Sequence, residues 1–399
     1  MNILSLLSVS APKSLWITLI EWIQSAVGNL GWTIILVTVF IKIVTTPLDF
    51  WVKLSTKKQT LIQQKCAPQV AKLQKKFGAD RNTLNVQTQS LYKREGLDSR
   101  TGCIVMLINT ILSFTIFITF YNDLRKYSAY EAINQYEQVE QAYTNSSNQA
   151  FIDFDPNDEF KTVQDINDWF DSYNAITDDA LKEAEYNAKK EILEYATEKG
   201  SKAAIDTWEK ISEKSSWLWV QNIWVADGSD RIFPSYNALV SIAKDTGYTG
   251  YVKDKDKINP DTYNRIATLV ADSEPRQNNG YYVLPILAGL ITFLSQYIAE
   301  LHNKLKNKKA NTMAKTAAAD MGSTMKVMKI VMPVIMVIFT LTASASFGLY
   351  ILASNIASMA FGELIALSVN QLTKKTQREV EEALEKEANK LIKKGKLKG

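Results

Sequence analysis

The sequence predicts an all-α membrane protein: five transmembrane helices around a polar groove, a cytoplasmic helical hairpin and a helical extracytoplasmic insert. Three observations predict it. Five apolar runs approach the roughly 20 residues that cross a ~30 Å hydrocarbon core. Charge is segregated into blocks between those runs. One run carries a lysine in its middle. Whole-chain averages hide all three: 399 residues, 46% hydrophobic, net charge +4 and mean hydropathy −0.13 are values of an ordinary soluble protein. The segregation excludes a single soluble domain. Two cysteines, Cys66 and Cys103, exclude a disulfide-framed secreted protein, and one histidine, His302, excludes an ordinary zinc site. No P-loop or glycine fingerprint occurs.

In chain order, residues 1–29 form an external N-terminal segment. Its first 12 residues are mildly apolar without a basic n-region, so a cleaved signal peptide is a weak reading. Trp16, Leu19, Ile20 and Ile23 follow at helical spacing and predict an interfacial helix; the alternative is an extension of the first span. Residues 30–51 are that span. Residues 52–102 are a basic hairpin: a first helix to Phe77 kinked at Pro68, a turn from Gly78 to Asn82, and a second helix from Thr83 to Glu95 capped by Gly96. Leu54, Leu61, Ile62, Val70, Leu73, Leu84 and Leu91 seam the pair, which is too little apolar surface for a rigid core. Residues 103–121 are the second span. Residues 122–280 are an acidic insert, 17 basic against 29 acidic side chains, with helices expected over 127–142, 161–170, 178–199 (ending at Gly200) and 201–214. Its segment 216–227 bears Trp217, Trp219 and Trp224 and predicts an interface-lying element. Residues 281–299 are the third span and 300–329 a basic loop. Residues 330–343, interrupted by Pro333, are a short fourth span turning tightly into the fifth, 347–367. Residues 368–399 are a basic amphipathic tail.

Basic loops stay cytoplasmic. Residues 53–101 carry 11 basic and 3 acidic side chains, 301–329 carry 7 and 1, and 374–399 carry 9 and 5. Five spans place all three on one side and the acidic insert on the other, with the N-terminus outside and the C-terminus in the cytoplasm. Both cysteines then fall on or near the reducing side.

A charged group at mid-membrane is costly and marks a functional site. Lys42 lies 12 residues after Leu30 and 9 before Trp51. Thr38, Thr45 and Thr46 flank it at helical spacing. The second span adds Asn109, Thr110 and Ser113, the third Gln296, and the fifth Ser354, Asn355 and Ser358. These are the expected groove and substrate-binding residues. Asp49 lies two turns on, near the cytoplasmic end, so the sequence reading makes its contact with Lys42 indirect and leaves the ammonium without a buried partner. An unpaired ammonium needs water, hence a water-filled cavity. A topology anchor, or a pair with Asp49, is the alternative.

Several stretches resemble the YidC/Oxa/Alb family of membrane protein insertases: VFIKIVTTPL around Lys42, CAPQVAKLQKKFGAD in the hairpin, SLYKREG then TGC before the second span, YYVLPILAGLITFLSQ in the third, KIVMP and GLYILASNIAS in the fourth and fifth. Lys42 stands where bacterial members usually carry Arg, and Asn109 where Gln is common. The resemblance covers about 30–121 and 281–370; the long insert departs from it. It implies a multi-pass protein of the bacterial cell membrane, not an enzyme, without cofactor, metal or catalytic residues. Such a protein moves short polar tails of nascent membrane proteins through a groove open to cytoplasm and lipid bilayer. It also implies a ribosome contact through the basic tail, while Sec translocon participation stays open; a monomer is expected. Two other readings stand beside it: a small-anion channel or carrier using the same lysine, and a scaffold or assembly chaperone docking through the insert.

Overall fold

A computed structural model of the chain describes residues 12–97, 99–154, 159–229, 231–246, 259–274, 278–307 and 321–393. They are helical throughout, apart from turns and two isolated bridges. The helices are α1 (Leu15–Val27), α2 (Leu30–Phe77), α3 (Arg81–Arg94), α4 (Ser99–Phe154), α5 (Val163–Ala175), α6 (Asp179–Ala188), α7 (Lys190–Ser215), α8 (Tyr236–Thr246), α9 (Pro260–Ser273), α10 (Val283–Asn307), α11 (Met321–Thr342) and α12 (Ala345–Lys393). The first residues of the N-terminal segment, residues 308–320 of the basic loop and the end of the tail lie outside the described residues; the rest of that loop is helical, in the end of α10 and the start of α11. Among those described, three helical stretches are long and apolar enough to cross a membrane: Leu30–Phe77, Ile104–Phe154 and Ala345–Lys386. They contain the first, second and fifth expected spans. The third and fourth fall in shorter apolar stretches, Val283–Ile298 and Ile330–Thr342.

Several boundaries read from the sequence dissolve into longer helices. The first span and the first hairpin helix are one 48-residue α2, which runs through Pro47 and Pro68. The second span and the first insert helix are one 56-residue α4. The fifth span and the described part of the tail are one 49-residue α12. The charge boundaries that separate these segments in sequence carry no helix-stopping residue, so the backbone hydrogen-bond ladder continues across them.

The chain divides into two compact units. One comprises Met1–Ile34, Asn122–Pro285 and Phe339–Leu349. Its α1 starts at Ser14, whose hydroxyl accepts from Ile17 N at 3.2 Å, and stops at Gly28 with φ +78°. It is thus a helix separate from α2 and does not extend it. Ile17 and Ile20 are buried while Trp22 is exposed. The main core joins Ile133, Tyr136, Val139 and Tyr143 of α4 to Trp208 of α7, Leu239 of α8 and Tyr263, Ile266 and Val270 of α9. Two of its polar edges are satisfied: Tyr263 Oη donates to Pro234 O at 2.6 Å and Trp208 Nε1 to Glu274 Oε1 at 2.7 Å. A second core packs Phe151 of α4, Phe160, Ile166 of α5 and Ile192 and Ala196 of α7. Gly200 does not end a helix as the sequence reading had it; α7 passes through it. A Cβ there would stand 2.0 Å from Ser147 Oγ and 3.0 Å from Tyr143 O, so glycine is present because α7 and α4 touch.

The tryptophan-bearing segment 216–227 is an irregular strap. Trp217 and Trp224 are buried; Trp217 meets Trp32 edge-on at 5.8 Å and Trp224 meets Tyr127 at 5.3 Å. Protein packing, not lipid, takes up these rings. The strap is clasped by two asparagines. Asn222 N donates to Asn279 Oδ1 at 2.7 Å, Asn279 Nδ2 donates back to Asn222 O at 2.8 Å, and Asn222 Nδ2 reaches Gln135 Oε1 at 2.8 Å. Ala345 N and Ser346 N donate to Val225 O and Ile223 O, tying the strap to the first turn of α12. Asp227 is fully buried and accepts from Leu284 N at 3.3 Å, at the start of α10. Its other oxygen has no hydrogen-bond partner. Tyr281 and Tyr282, next to it, take φ values of +58° and +62°.

The other unit comprises Ile35–Tyr121, Ile286–Ile338 and Tyr350–Gly399. Its hairpin keeps the turn expected from the sequence: Asp80 caps α3 by accepting from Thr83 N at 3.1 Å, and Gly96 has φ +80°. Leu61, Leu91, Leu97 and Cys66 are buried along the seam, and Lys65 pairs with Glu95 at 2.8 Å. Burial pushes the Cys66 thiol above its ordinary value.

Two measurements probe this packing. Gly200→Val forces apart α4 and α7 and is expected to cost about 1–3 kcal/mol, read as a lower thermal midpoint for loss of near-ultraviolet ellipticity; an unchanged midpoint contradicts the contact. Burial raises the Asp227 carboxyl from an ordinary 3.8 to about 6. The folded state therefore holds a proton that the unfolded chain releases between those values. On this group's account stability is full below pH 3.8 and falls as pH rises to about 6. Asp227→Asn is expected to flatten that part of a pH–stability profile measured by denaturant unfolding.

Candidate functional site

The site is built on one face of α2. Lys42, Asp49 and Lys53 stand at i, i+7 and i+11, and both intervals return to within about 20° of the starting direction on a 3.6-residue helix. Lys42 Nζ donates to Asp49 Oδ2 at 2.8 Å. The expectation of an unpaired ammonium is corrected here. Two turns separate the Cα atoms by about 10.5 Å. Asp49 leans toward the helix N-terminus, as every helical Cβ does, and the four-carbon lysine stem spans the rest. The pair is not dry: the side chains keep 21% and 25% of their exposure.

α12 supplies the facing wall with Ser358, Gly362 and Ile365, again at one-face spacing. With Lys42, Asp49, Val52 and Lys53 they line a cleft of about 270 Å³. Lys53 Nζ donates to Gly362 O at 2.6 Å. A Cβ at Gly362 would lie 3.7 Å from that nitrogen, in ordinary contact, so the approach does not itself require glycine.

Of the residues expected around Lys42, only Ser358 shares this cleft. Thr45 and Thr46 turn their hydroxyls back onto Lys42 O, at 3.2 and 2.7 Å. Such back-bonding satisfies a threonine on its own helix and tends to bend it, here next to Pro47. Thr38 is buried at 2% exposure. Thr110 is exposed and bonds to Met106 O at 2.9 Å; Ser113 is exposed. Asn109 is half-buried, with an Oδ1 that is buried and without a partner. Gln296 is half-buried. Ser354 bonds to the Tyr350 hydroxyl, and Asn355 Nδ2 donates to Thr292 Oγ1 at 2.9 Å, joining α12 to α10. Val52, Lys53, Gly362 and Ile365 of the cleft escaped the sequence reading, and the pair with Asp49 stood there only as the alternative. The signal for Asp49 and Lys53 was the i, i+7, i+11 spacing. Gly362 carried only its position one turn after Ser358.

The chemistry available is electrostatic. One carboxylate and two ammonium groups line a partly open cleft, with a hydroxyl opposite; no nucleophile–base pair accompanies them. Among the described residues no group of three or more His, Cys, Asp or Glu is placed to hold a metal ion.

Comparison with known proteins gives the family. The family model described as "60Kd inner membrane protein" matches residues 22–158 and 204–375. Both cleft walls lie inside the match, and the stretch it skips is within the insert. Proteins named membrane protein insertase YidC are similar over shorter lengths. That of Caldanaerobacter subterraneus subsp. tengcongensis is 37% identical over 112 residues, 28% of this chain and 50% of its own. That of Bordetella avium is 35% identical over 105 residues, 26% of this chain and 17% of its own. That of Wolinella succinogenes is 32% identical over 104 residues, 26% of this chain and 19% of its own. The aligned part thus spans half or less of each of these relatives. No solved structure matches the chain. The family match over most of its length, on an all-helical chain with apolar spanning helices, shows that the chain belongs to the 60Kd inner membrane protein family, the YidC/Oxa/Alb membrane proteins.

Proposed function

We propose that the chain is a membrane protein insertase of the bacterial cell membrane and that the Lys42 cleft is where it meets its substrate. The observation that carries this reading is a partly exposed ion pair in a cleft between α2 and α12, within stretches whose apolarity marks them as spans. The relatives' printed name supports the same activity.

The difficulty in inserting a new span is the polar tail that precedes it. Moving such a tail into hydrocarbon strips its water, at a cost of roughly 2–7 kcal/mol for each uncompensated polar group. A wet cleft lined by charges and a hydroxyl offsets part of that cost along part of the path. Lys42 attracts carboxylates of the tail, more strongly than in bulk water because the surroundings are less polarisable. The apolar segment then moves into lipid on its own transfer free energy. The chain carries no bond-making chemistry in this scheme and acts as no enzyme.

Five spans, with α10 and α11 as the third and fourth, place the hairpin of α2 and α3 in the cytoplasm with the tail, and the insert outside. The charge blocks support this orientation through the preference of basic segments for the cytoplasmic side. The partners are nascent membrane proteins and lipid. The ribosome, reached by RNA phosphates on the basic part of α12 and the tail, is a further proposed partner; the chain acts as a monomer, with or without the Sec translocon. The pairing of Lys42 with Asp49 favours this reading over a small-anion carrier, in which an uncommitted cation would set selectivity.

In proteoliposomes carrying the full chain, Lys42→Ala is expected to lower insertion of a single-span substrate with a short acidic tail on the order of ten-fold, equivalent to about 1.4 kcal/mol of lost attraction. Lys42→Arg is expected to retain most of it. Unaltered insertion by Lys42→Ala overturns the role given to Lys42. Orientation is tested separately, because Cys66 is too buried to report it. In a Cys66→Ser, Cys103→Ser background, Val86→Cys on α3 and Leu181→Cys on α6 are well exposed, at 65% and 64%. An impermeant maleimide is expected to label position 181 on intact cells and position 86 only after permeabilisation. The opposite pattern overturns the topology.

A further inference from the structure

We propose that the turn at Leu218 is a lipid-contacting foot of the insert: its side chain enters the bilayer surface beside the first turn of α2 and ties the insert to the membrane there. The inference goes beyond the insertase reading and does not depend on it.

The turn is badly written for water. Trp217 N donates to Val220 O at 2.8 Å and Val220 N to Trp217 O at 2.9 Å, so Leu218 and Trp219 form a two-residue connection. Leu218 has φ +50°, a conformation that glycine or asparagine ordinarily takes in such a turn. Turns on a wet surface are built from Gly, Asn, Asp, Ser and Pro, whereas this one reads Trp, Leu, Trp, Val. Trp217 and Val220 are buried, Trp219 is half-buried, and Leu218 is left 65% exposed at the tip. In water this leucine pays twice, in backbone strain and in exposed apolar surface. The strain is the same in any surroundings. The exposure is not, because a leucine side chain gains free energy on leaving water for hydrocarbon.

The place of the turn supplies the hydrocarbon. Asn29 Nδ2 donates to Ser216 O at 2.8 Å, one residue before the turn. A Cβ at Gly31 would collide with the Trp217 ring, and Trp32 meets the same ring edge-on at 5.8 Å. Residues 29, 31 and 32 thus hold the base of the turn against the start of α2, which is the entry of a stretch long and apolar enough to span. Trp32 is itself half exposed and opens an apolar strip of α2. Leu36, Phe40 and Ile43 follow it at three- and four-residue intervals, on one helical face, and each is about half exposed. An exposed apolar strip on a spanning helix is the surface that lipid covers. The rings of Trp217 and Trp32 are packed on each other; what they hold out, one residue on, is the leucine. A protein partner fits this tip poorly. One projecting side chain falls far short of the roughly 800 Å² that each partner buries in a stable protein interface, whereas lipid requires no complementary shape.

The test places a nitrobenzoxadiazole label on Leu218→Cys in the full chain carrying Cys66→Ser and Cys103→Ser, reconstituted alone in nanodiscs of phosphatidylcholine and phosphatidylglycerol. Quenching is read with iodide from the water and with lipids spin-labelled at a shallow or a deep acyl carbon. Leu181→Cys on α6 is the water reference and Ile111→Cys, in the apolar stretch of α4, is the lipid reference; both positions are exposed. Position 218 is expected to be quenched about two-fold more by the shallow label than by the deep one, and less by iodide than position 181. Lipid quenching no greater than at position 181 overturns the proposal, whether iodide reaches the label or a second copy of the chain covers it. Leu218→Asn gives a reading without a label. Asparagine tolerates the left-handed backbone, so with the tip in water it relieves the turn and raises the thermal midpoint. With the tip in lipid the lost apolar contact outweighs that relief, and the midpoint in the same nanodiscs is expected to fall by about 2–4 °C. A midpoint that rises or stays the same overturns the proposal.

Discussion

A charge on an apolar helix must be compensated, and that constraint organises the spanning part of this protein. Lys42 sits in the middle of a stretch that is otherwise written for hydrocarbon. Its ammonium is held by a carboxylate of its own helix, with enough exposure left for solvent to share the work. A wall of α12 with Ser358, Gly362 and Ile365 stands beside the pair and completes the cleft. Polarity elsewhere on the spans is largely spent internally. Thr45, Thr46 and Thr110 serve carbonyls of their own helices, and Asn355 serves Thr292. The cleft is therefore narrower and more strongly electrostatic than a slot lined by scattered hydroxyls.

Much of this was legible in the sequence, because apolar runs and charge blocks are first-order effects of water and lipid on composition. The helical class and the hairpin turn with its Gly96 cap followed from such effects, which also singled out Lys42. The pairing of Lys42 with Asp49 followed only as the alternative reading. Depth along the chain was read as separation in space, although seven residues restore the same helical face and a lysine stem is long enough to use it. Helix ends were misplaced for a related reason. Composition changes at Lys53, Asn122 and Thr373, but nothing in those changes breaks a backbone ladder. Gly200 was read as a stop because glycine commonly is one; here it answers to a neighbouring helix that only the fold reveals.

The insert shows the same division. Its helices α5 and α7 were approximately visible, as period-3.6 patterns are, whereas α8 and α9 were not. Those two are short, and their apolar residues make sense only as the far wall of a core built on Trp208 and Tyr136. The strap around Trp217 and Trp224 was assigned to the membrane surface because tryptophan favours that region. Its rings are instead taken up by Trp32 and Tyr127. A burial preference does not state what does the burying.

The two tyrosines that lead into α10 have a consequence of their own. Consecutive residues other than glycine in the left-handed region cost roughly 1–3 kcal/mol each, so the polypeptide at Tyr281 and Tyr282 is held in tension. What restrains it is local: the clasp between Asn222 and Asn279 and the carboxylate of Asp227. Severing the clasp would let the chain recoil there, which makes the clasp the latch of this corner.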